Sequence, residues 1–280
     1  MKRTGQRRRK NRSRFSSLES EASKVEVAII GYGFVGKATE FLLDTFYPGT
    51  GIQIHDPEQG HEIEDWSGIQ YVFVCVPTNL KGDKLDISII DKVLNELSGR
   101  SCAHTVVPII RSTIGPDQAI DLTKKYGCII MPEFLREQHW RKDVLDPDIP
   151  ILVGCYNCDN FIDFISKTNQ ANKKVITTTP GNAATIKLFR NAALAINVEL
   201  ANTIKGICDV YDLDYEDVKD FFMEDKTLGN HWAVPGPDGK EGFGGTCLPK
   251  DLTHASSLCY NTNNIMKVAL EANKRRRNDE

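Results

Sequence analysis

The sequence predicts an α/β protein: a doubly wound, parallel Rossmann-type sheet followed by an all-helical part with one long central helix. Three observations predict it. Short continuous apolar runs alternate with helical stretches through the first half; a G-x-G-x-x-G turn follows the first run; and after residue 178 the apolar residues recur every three or four positions.

Residues 25–30 form an apolar run of the kind found in strands buried on both faces. Gly31-Tyr32-Gly33-Phe34-Val35-Gly36 follows at once and opens a helix to about Phe46. Residues 52–55 are a second strand ending on Asp56, and residues 71–76 a third closing on Pro77-Thr78. A helix over about 87–97 leads to a strand around 105–110 that ends Arg111-Ser112-Thr113. A helix over 116–126 then precedes a strand at 128–130. Strands and helices alternating at this spacing give a parallel sheet. Past Thr179 and Asn182, either of which can cap a helix, Ile186, Phe189, Ala193, Ile196, Leu200, Ile204 and Ile207 mark one long amphipathic helix. Further helices are expected at 215–224, 249–258 and 265–275, with a loop rich in glycine and proline over 228–245. The expected division is a basic tail at 1–24, a dinucleotide-binding part at 25–178 and a helical substrate and dimerisation part at 179–280.

Composition narrows the function class. With 40% hydrophobic and 26% charged residues the chain suits a water-soluble globular protein. No apolar run approaches the roughly 20 residues that span a bilayer, and the basic first residues lack the apolar segment of a secretion signal. A cytoplasmic protein that does not engage membrane is expected. Residues 1–14 carry eight Lys or Arg and no acid, which leaves 27 basic against 38 acidic residues elsewhere, a net of −11. The tail should be disordered, and the acidic body would repel phosphate, which argues against nucleic acid as a partner. Eight cysteines in such a chain suggest reduced thiols. Cys155 and Cys158 form a C-x-x-C pair without a second pair or nearby histidine to complete a metal site, so they are expected to be ordinary cysteines and no metal is expected.

The glycine turn has the context of a nucleotide site. It follows a strand, opens a helix, and precedes Asp56 by 20 residues counted from Gly36. Gly31 permits the tight turn, Gly33 lets backbone approach a pyrophosphate, and Gly36 permits close packing, while the helix N-terminus receives negative charge. Asp56 would accept hydrogen bonds from adenosine ribose hydroxyls, and its charge favours NAD over NADP. In the long helix Lys187 and Asn191 stand one turn apart, on a face other than the apolar stripe. They read either as donors to a substrate oxygen that gains negative charge or as a solvated pair. The loop Gly242-Phe243-Gly244-Gly245-Thr246-Cys247-Leu248-Pro249-Lys250-Asp251 puts Cys247 at a helix N-terminus near Lys250, where a thiolate is favoured. Asp251, four residues on, has the spacing of a base toward a thiol or a water.

These segments carry a resemblance. G-Y-G-F-V-G at 31–36, C-V-P-T at 75–78, R-S-T-I-G at 111–115, M-P-E-F-L-R-E at 131–137, I-K-L-F-R-N at 186–191 and G-F-G-G-T-C-L-P-K-D at 242–251 occur in the order found in the UDP-glucose/GDP-mannose dehydrogenases. The chain resembles that family across residues 25–275. The resemblance implies a four-electron oxidation of a nucleotide sugar, UDP-glucose before others, by NAD through a thioester on Cys247. It implies that Lys187 stabilises the oxyanion and that Asn191 and Asp251 hold the substrate oxygen and the reactive water. It assigns Thr113 and Glu133 to the water and the nicotinamide end, and Phe134, Leu135 and Arg136 to a loop over the substrate. Phe243, Gly244 and Gly245 are implied at the substrate; Gly31, Gly33, Phe34, Val35, Gly36, Asp56, Pro77, Thr78, Thr113 and Lys250 at the cofactor.

The sequence departs from the family pattern where Met131 stands for Asn, Gln138 for Gly and Thr203 for Glu. The family pattern also continues into a third, nucleotide-gripping domain near where these residues stop, so a compact form or a completing second chain is expected. A homodimer through the long helix is expected because the apolar stripe needs a partner surface. Two rival readings are a two-electron hydroxyacid-type dehydrogenase, which uses lysine without a cysteine nucleophile, and a non-catalytic nucleotide-sugar binder.

Overall fold

The structure, a computed structural model, describes residues 25–100, 106–167, 173–225, 233–259 and 264–277. The expected disorder of the basic tail falls outside the described residues, as do residue 105 of the fourth expected strand and residues 228–232 of the glycine-rich loop. In chain order the elements are β1 (Glu26–Ile30), α1 (Phe34–Phe46), β2 (Gly51–His55), β3 (Ile69–Val74), β4 (Leu80–Lys81), β5 (Lys84–Leu85), α2 (Ser88–Ser98), β6 (Val107–Ile110) and α3 (Pro116–Tyr126). They continue with β7 (Ile129–Ile130), α4 (Trp140–Leu145), β8 (Ile151–Gly154), α5 (Asp159–Lys167) and β9 (Val175–Thr178). The helices α6 (Pro180–Tyr211), α7 (Tyr215–Glu224), α8 (Leu248–Ser257) and α9 (Ile265–Arg277) follow.

Seven strands form one sheet in the order β2-β1-β3-β6-β7-β8-β9. β1 pairs in parallel with β2 and β3, Val27 standing opposite Ile52 on one side and Tyr71 on the other. Val27, Ala28 and Ile29 of β1 have no solvent exposure, as their unbroken apolar run requires, and Val27 and Ile29 each contribute about 1.5–3 kcal/mol by leaving water. The order reverses between β1 and β3, which opens the crevice where ligands of doubly wound sheets bind. The sheet is not wholly parallel as expected: β7 and β8 meet antiparallel. β8 and β9, four residues each, are additions to the predicted strands; both are too short for a clear periodicity, and β9 is only partly buried. A second addition is the β4–β5 hairpin, which turns on Gly82 at φ 67°.

The long helix is present, and Thr179 rather than Asn182 caps it, its Oγ1 accepting the Asn182 N–H at 3.3 Å. The first turns lie hard against the sheet. A methyl on Gly154 of β8 would meet the Ala183 Cβ at 2.6 Å, and one on Gly181 would meet Ile120 of α3 at 3.0 Å. Farther along, Leu188, Ala192 and Ala195 pack with Leu252 and Ala255 of α8 and Met266 and Ala269 of α9. The buried face is therefore made mostly of small residues, with Leu188 and the polar Lys187, Asn191, Glu199 and Asn202 among them. The stripe read from the sequence lies largely outward, with Ile186, Leu200 and Ile207 about half exposed. Periodicity identified the helix, but alanine packs helices closely and so carries the buried face without adding to an aliphatic count.

The C-x-x-C pair corrects another expectation: Cys155 and Cys158 are joined in a disulfide. Cys155 ends β8, donating its N–H to the Thr178 carbonyl, and the Cys158 carbonyl accepts from Ile162 in the first turn of α5. The turn between them brings the two Cα atoms to 6.1 Å, within bridging reach. Cys75, Cys128, Cys208, Cys247 and Cys259 are free. Among the described residues no three potential ligands gather as a metal site, and no helix is long and apolar enough to cross a membrane.

Candidate functional site

The C-terminal ends of β1, β3, β6 and β7 gather the sequence-predicted residues of the sheet half. After β1, Gly31 takes φ 87°, and a Cβ there would stand 2.9 Å from the Cys75 carbonyl oxygen. A Cβ on Gly36 would stand 2.2 Å from the Gly31 oxygen, so both glycines are required by the turn itself. Gly33 is different: a Cβ there meets nothing within 4 Å, and the position opens outward. Gly33 also begins α1, whose N-terminus has neither a side-chain cap nor an acid in its first turn. The backbone N–H groups at the start of this helix therefore face open space and suit an anionic acceptor. A pyrophosphate fits that cradle, and the N–H groups of Phe34 and Val35 belong to it.

Asp56 ends β2 beside this turn. Its Oδ2 accepts the Tyr32 N–H at 2.7 Å and the Gln59 Nε2–H at 2.8 Å. Partial burial pushes the carboxyl up, but these donors outweigh it and hold the group below its ordinary value, so Asp56 is an anion. Thr78 and Thr113 close the far wall, the Thr78 hydroxyl donating to the Thr113 carbonyl at 2.8 Å. Pro77 stands exposed before them.

The second cluster joins the sheet half to the helical half. Glu133, on the segment after β7, accepts from Lys187 Nζ at 2.8 Å through Oε1 and from the Leu135 N–H at 2.6 Å through Oε2. Both charged groups are buried. Burial raises the Glu133 carboxyl, and Lys187, the Leu135 amide and Arg111 together pull it below its ordinary value. One turn on from Lys187, Asn191 Nδ2 donates to Asp251 Oδ2 at 2.7 Å, and Lys250 Nζ meets Asp251 Oδ1 at 2.7 Å. Asp251 has no solvent exposure. The Lys187–Asn191 pair is thus a buried face between the two carboxylates, and the solvated alternative is set aside.

Cys247 caps α8 with Pro249 in its first turn, as expected. Its thiol lies within the electrostatic reach of Asp251, Lys187, Glu133 and Lys250. The expected thiolate is not what this environment favours. Burial raises the thiol, Asp251 and Glu133 raise it further, and Lys187 and Lys250 only partly compensate. Cys247 rests as a thiol at neutral pH.

The glycine loop before Cys247 is held by residues that the motif did not single out. Asn273 of α9 accepts the Phe243 N–H at 2.7 Å and donates to the Phe243 carbonyl at 3.0 Å. Asn202 of α6 accepts the Gly242 N–H at 3.0 Å, and Arg277 donates to the Gly242 carbonyl at 3.3 Å. Phe243 itself is buried among Leu188, Leu252 and Met266 with its backbone engaged, so it anchors the loop instead of facing a substrate. Gly244 lies against the Arg277 guanidinium, and Gly245 takes φ 74° with open space before it. Phe134 is buried under Lys187 and Arg190, at 6.0 and 5.4 Å from its centroid. Leu135 is half-buried. Arg136 is drawn aside by the buried Asp143, to which its Nη2 donates at 2.6 Å and its Nε at 3.1 Å. Arg111, buried and adjoining Glu133, was missed as a site residue because its motif gives no hint of burial.

Residues 181–275 match the central domain of the UDP-glucose/GDP-mannose dehydrogenase family. A UDP-glucose 6-dehydrogenase of Rickettsia bellii is 28% identical over 229 residues, covering 76% of this chain and 51% of that protein. The chain spans about half the length of the curated relatives it matches. Among solved structures, a UDP-glucose dehydrogenase of Pyrobaculum islandicum superposes with a TM-score of 0.73 at 19% identity, over 92% of this chain and 70% of that one. A 3-hydroxyisobutyrate dehydrogenase of Mycobacterium tuberculosis superposes at 0.67 with 18% identity, over 91% of this chain and 94% of that one.

Proposed function

We propose that this chain, which carries the central domain of the UDP-glucose/GDP-mannose dehydrogenase family, oxidises the hydroxymethyl group of a nucleotide sugar to a carboxylate, with UDP-glucose as the first candidate substrate. The observation that carries the reading is that the half-buried Cys247 thiol faces the field of the buried Lys187 and Asp251, with Asp251 held by Asn191. NAD is the family's cofactor, and when bound it would supply the hydride acceptor, one NAD molecule for each of the two oxidations.

The chain's own residues do the rest. Lys187 spends one donor on Glu133 and keeps two for the substrate oxygen; Asn191 supplies another. Asp251 takes the proton that leaves the hydroxyl as the C=O bond forms. Once Asp251 has given that proton up to solvent, the Cys247 sulfur adds to the aldehyde carbon, the thiol proton passes to the emptied Asp251 carboxylate, and the new oxyanion returns to Lys187 and Asn191. After the second oxidation the carbon is a thioester. Water ordered by Thr113 and Asp251 adds to it, the C–S bond breaks, and the sulfur leaves as thiolate with the acid as product. Glu133 fixes Lys187, and Leu135 is assigned to the wall over the sugar, backed by the buried Phe134 and by Arg136 tied to Asp143. Gly244 and Gly245 let backbone lie against it. Gly31, Gly33, Phe34, Val35, Gly36, Asp56, Pro77, Thr78 and Lys250 are assigned to the cofactor.

Two NADH released for each sugar oxidised, measured by absorbance against product across a panel of nucleotide sugars, is the expected stoichiometry. One NADH per substrate would move the reading to a hydroxyacid-type dehydrogenase, whose fold covers nearly all of both chains. The anionic Asp56 should cut catalytic efficiency with NADP by about two orders of magnitude, since like charges at about 4 Å repel by up to a few kcal/mol at an effective dielectric near 20. Equal use of both cofactors would remove that role.

The same reading divides the chain into a cofactor part at 25–178 and a substrate and dimerisation part at 179–280, working in the cytoplasm. Ile186, Leu200, Ile207, Val210 and Tyr211 leave an apolar outer face on α6, and we assign it to a homodimer contact. Light scattering at micromolar concentration should give twice the chain mass; a monomer there counts against the contact.

A further inference from the structure

We infer that His254 is a positioning residue that latches the Cys247 helix onto the sheet half through the β4–β5 hairpin. His254, Asp251 and Cys247 stand at helical spacing along α8, so one face carries all three. The imidazole is 1% exposed, and none of the chemistry above uses it. Its Nδ1 accepts the Leu85 N–H at 3.4 Å. The Leu85 carbonyl accepts from Gln118 Nε2 at 2.8 Å, and Gln118 Oε1 accepts the Gly115 N–H at 2.8 Å. A continuous polar chain thus runs from α8 through β5 to the start of α3, two residues past Thr113.

The other side of the ring tightens the fit. Among the described residues Nε2 has no partner, and it lies under Gly115, where a Cβ would come within 2.5 Å. The imidazole at 254 is thereby the nearest group to exclude a Cβ at 115, with Asp117 Oδ1 next at 2.9 Å. The groups facing the ring are Asp117 on α3, the Asp83 backbone in the hairpin, and Lys250 and Asp251 on its own helix. Burial outweighs the anions and lowers the imidazolium's stability, which keeps the Nδ1 lone pair available. The latch sets the distance between the thiol and the Thr113 wall. Its purpose rests on the reading of Cys247 as nucleophile; its existence does not.

Asn and Leu variants separate the latch from mere filling of space. His254→Asn places a carboxamide oxygen where Nδ1 was, whereas His254→Leu has bulk without an acceptor. In His254→Leu the Leu85 amide should exchange its hydrogen about five- to tenfold faster. The rate of Cys247 alkylation by iodoacetamide, read by peptide mapping, should rise several-fold. The kcat for a nucleotide sugar should fall while KM for NAD stays within twofold. His254→Asn should recover all three most of the way. Should His254→Leu fail to fold, Gly115→Ala supplies the same test: its loss of melting temperature should be smaller in a His254→Asn background than alone. Wild-type exchange and alkylation in His254→Leu, an Asn variant no better than Leu, or Gly115→Ala losses independent of residue 254 would overturn the latch. Exchange, alkylation and melting need no turnover, so inactivity of the wild type on every sugar would sink the functional reading alone.

Discussion

Cys247→Ala should abolish acid formation, a loss of about three orders of magnitude or more in the second oxidation, while leaving the protein folded. The residue is half-buried at the start of α8 and makes no hydrogen bond as a cap, so removing its sulfur disturbs little structure. Oxidation of the alcohol needs only a proton acceptor and oxyanion donors, and Asp251, Lys187 and Asn191 remain. Oxidation of a free aldehyde needs a tetrahedral oxyanion first, which the sulfur makes by addition. A little aldehyde should therefore form and stay bound. Because burial and the two carboxylates raise the thiol, the neutral form dominates below its pKa, and alkylation of free Cys247 should accelerate about tenfold per pH unit through pH 7–9. Mass spectrometry of wild type quenched during turnover should find the sugar on the peptide that contains Cys247. Acid production by Cys247→Ala at the wild-type rate would end the thioester mechanism.

Lys187→Met should cost both activity and stability. The ammonium is one of two donors available to the oxyanion, and losing such a donor costs about 10²–10³ in kcat. It is also the partner of Glu133, and a buried charge left alone costs about 3–5 kcal/mol. The pH dependence should reverse. In the wild type the Glu133 carboxyl lies below its ordinary 4.5, so its contribution is present above that pH and is lost as pH falls through the lower folded value. Without Lys187 burial dominates, the carboxyl rises, and the variant should lose stability as pH increases above 4.5. Denaturant melts at pH 5 and pH 8 give the comparison, and Glu133→Gln in the same chain should restore much of the loss. A variant as stable as wild type at pH 8 would mean that the pair holds nothing together.

The strands and helices that face one environment throughout were legible in the sequence. From Val27 on, β1 is buried on both faces and reads as a plain apolar run; α3 and α7 announce their ends with Pro116, Gly127 and Asp214. What escaped was set by tertiary contact. β8 pairs antiparallel with β7 because of where the chain returns, and α6 buries alanines that carry no periodic signal. The chemistry divides in the same way. Cys247, Asp251, Lys187 and Asn191 lie in short motifs, so their meeting could be anticipated. Asn202, Asn273 and His254 act on backbone groups distant in sequence, and a hydrogen bond to a main-chain amide leaves no mark in the partner's residue type. The thiol's protonation escaped for a related reason: the helix terminus is local, but the burial that chiefly raises the thiol is set by packing from other elements, with Asp251 and then Glu133 adding to it.

α6 is a lever with unequal arms. Its 32 residues make a rod of about 48 Å, bolted to the sheet near Gly181 and Ala183. Lys187 lies only about 9 Å from the bolt, whereas Tyr211 lies about 45 Å away. Pivoting about the bolt, a sideways push of about 2 Å at the outer end would reach Lys187 as about 0.4 Å. Disturbance from whatever grips that end is geared down roughly fivefold before it reaches the oxygen-binding donors, so mechanical insulation of the site is built into the length of a single helix.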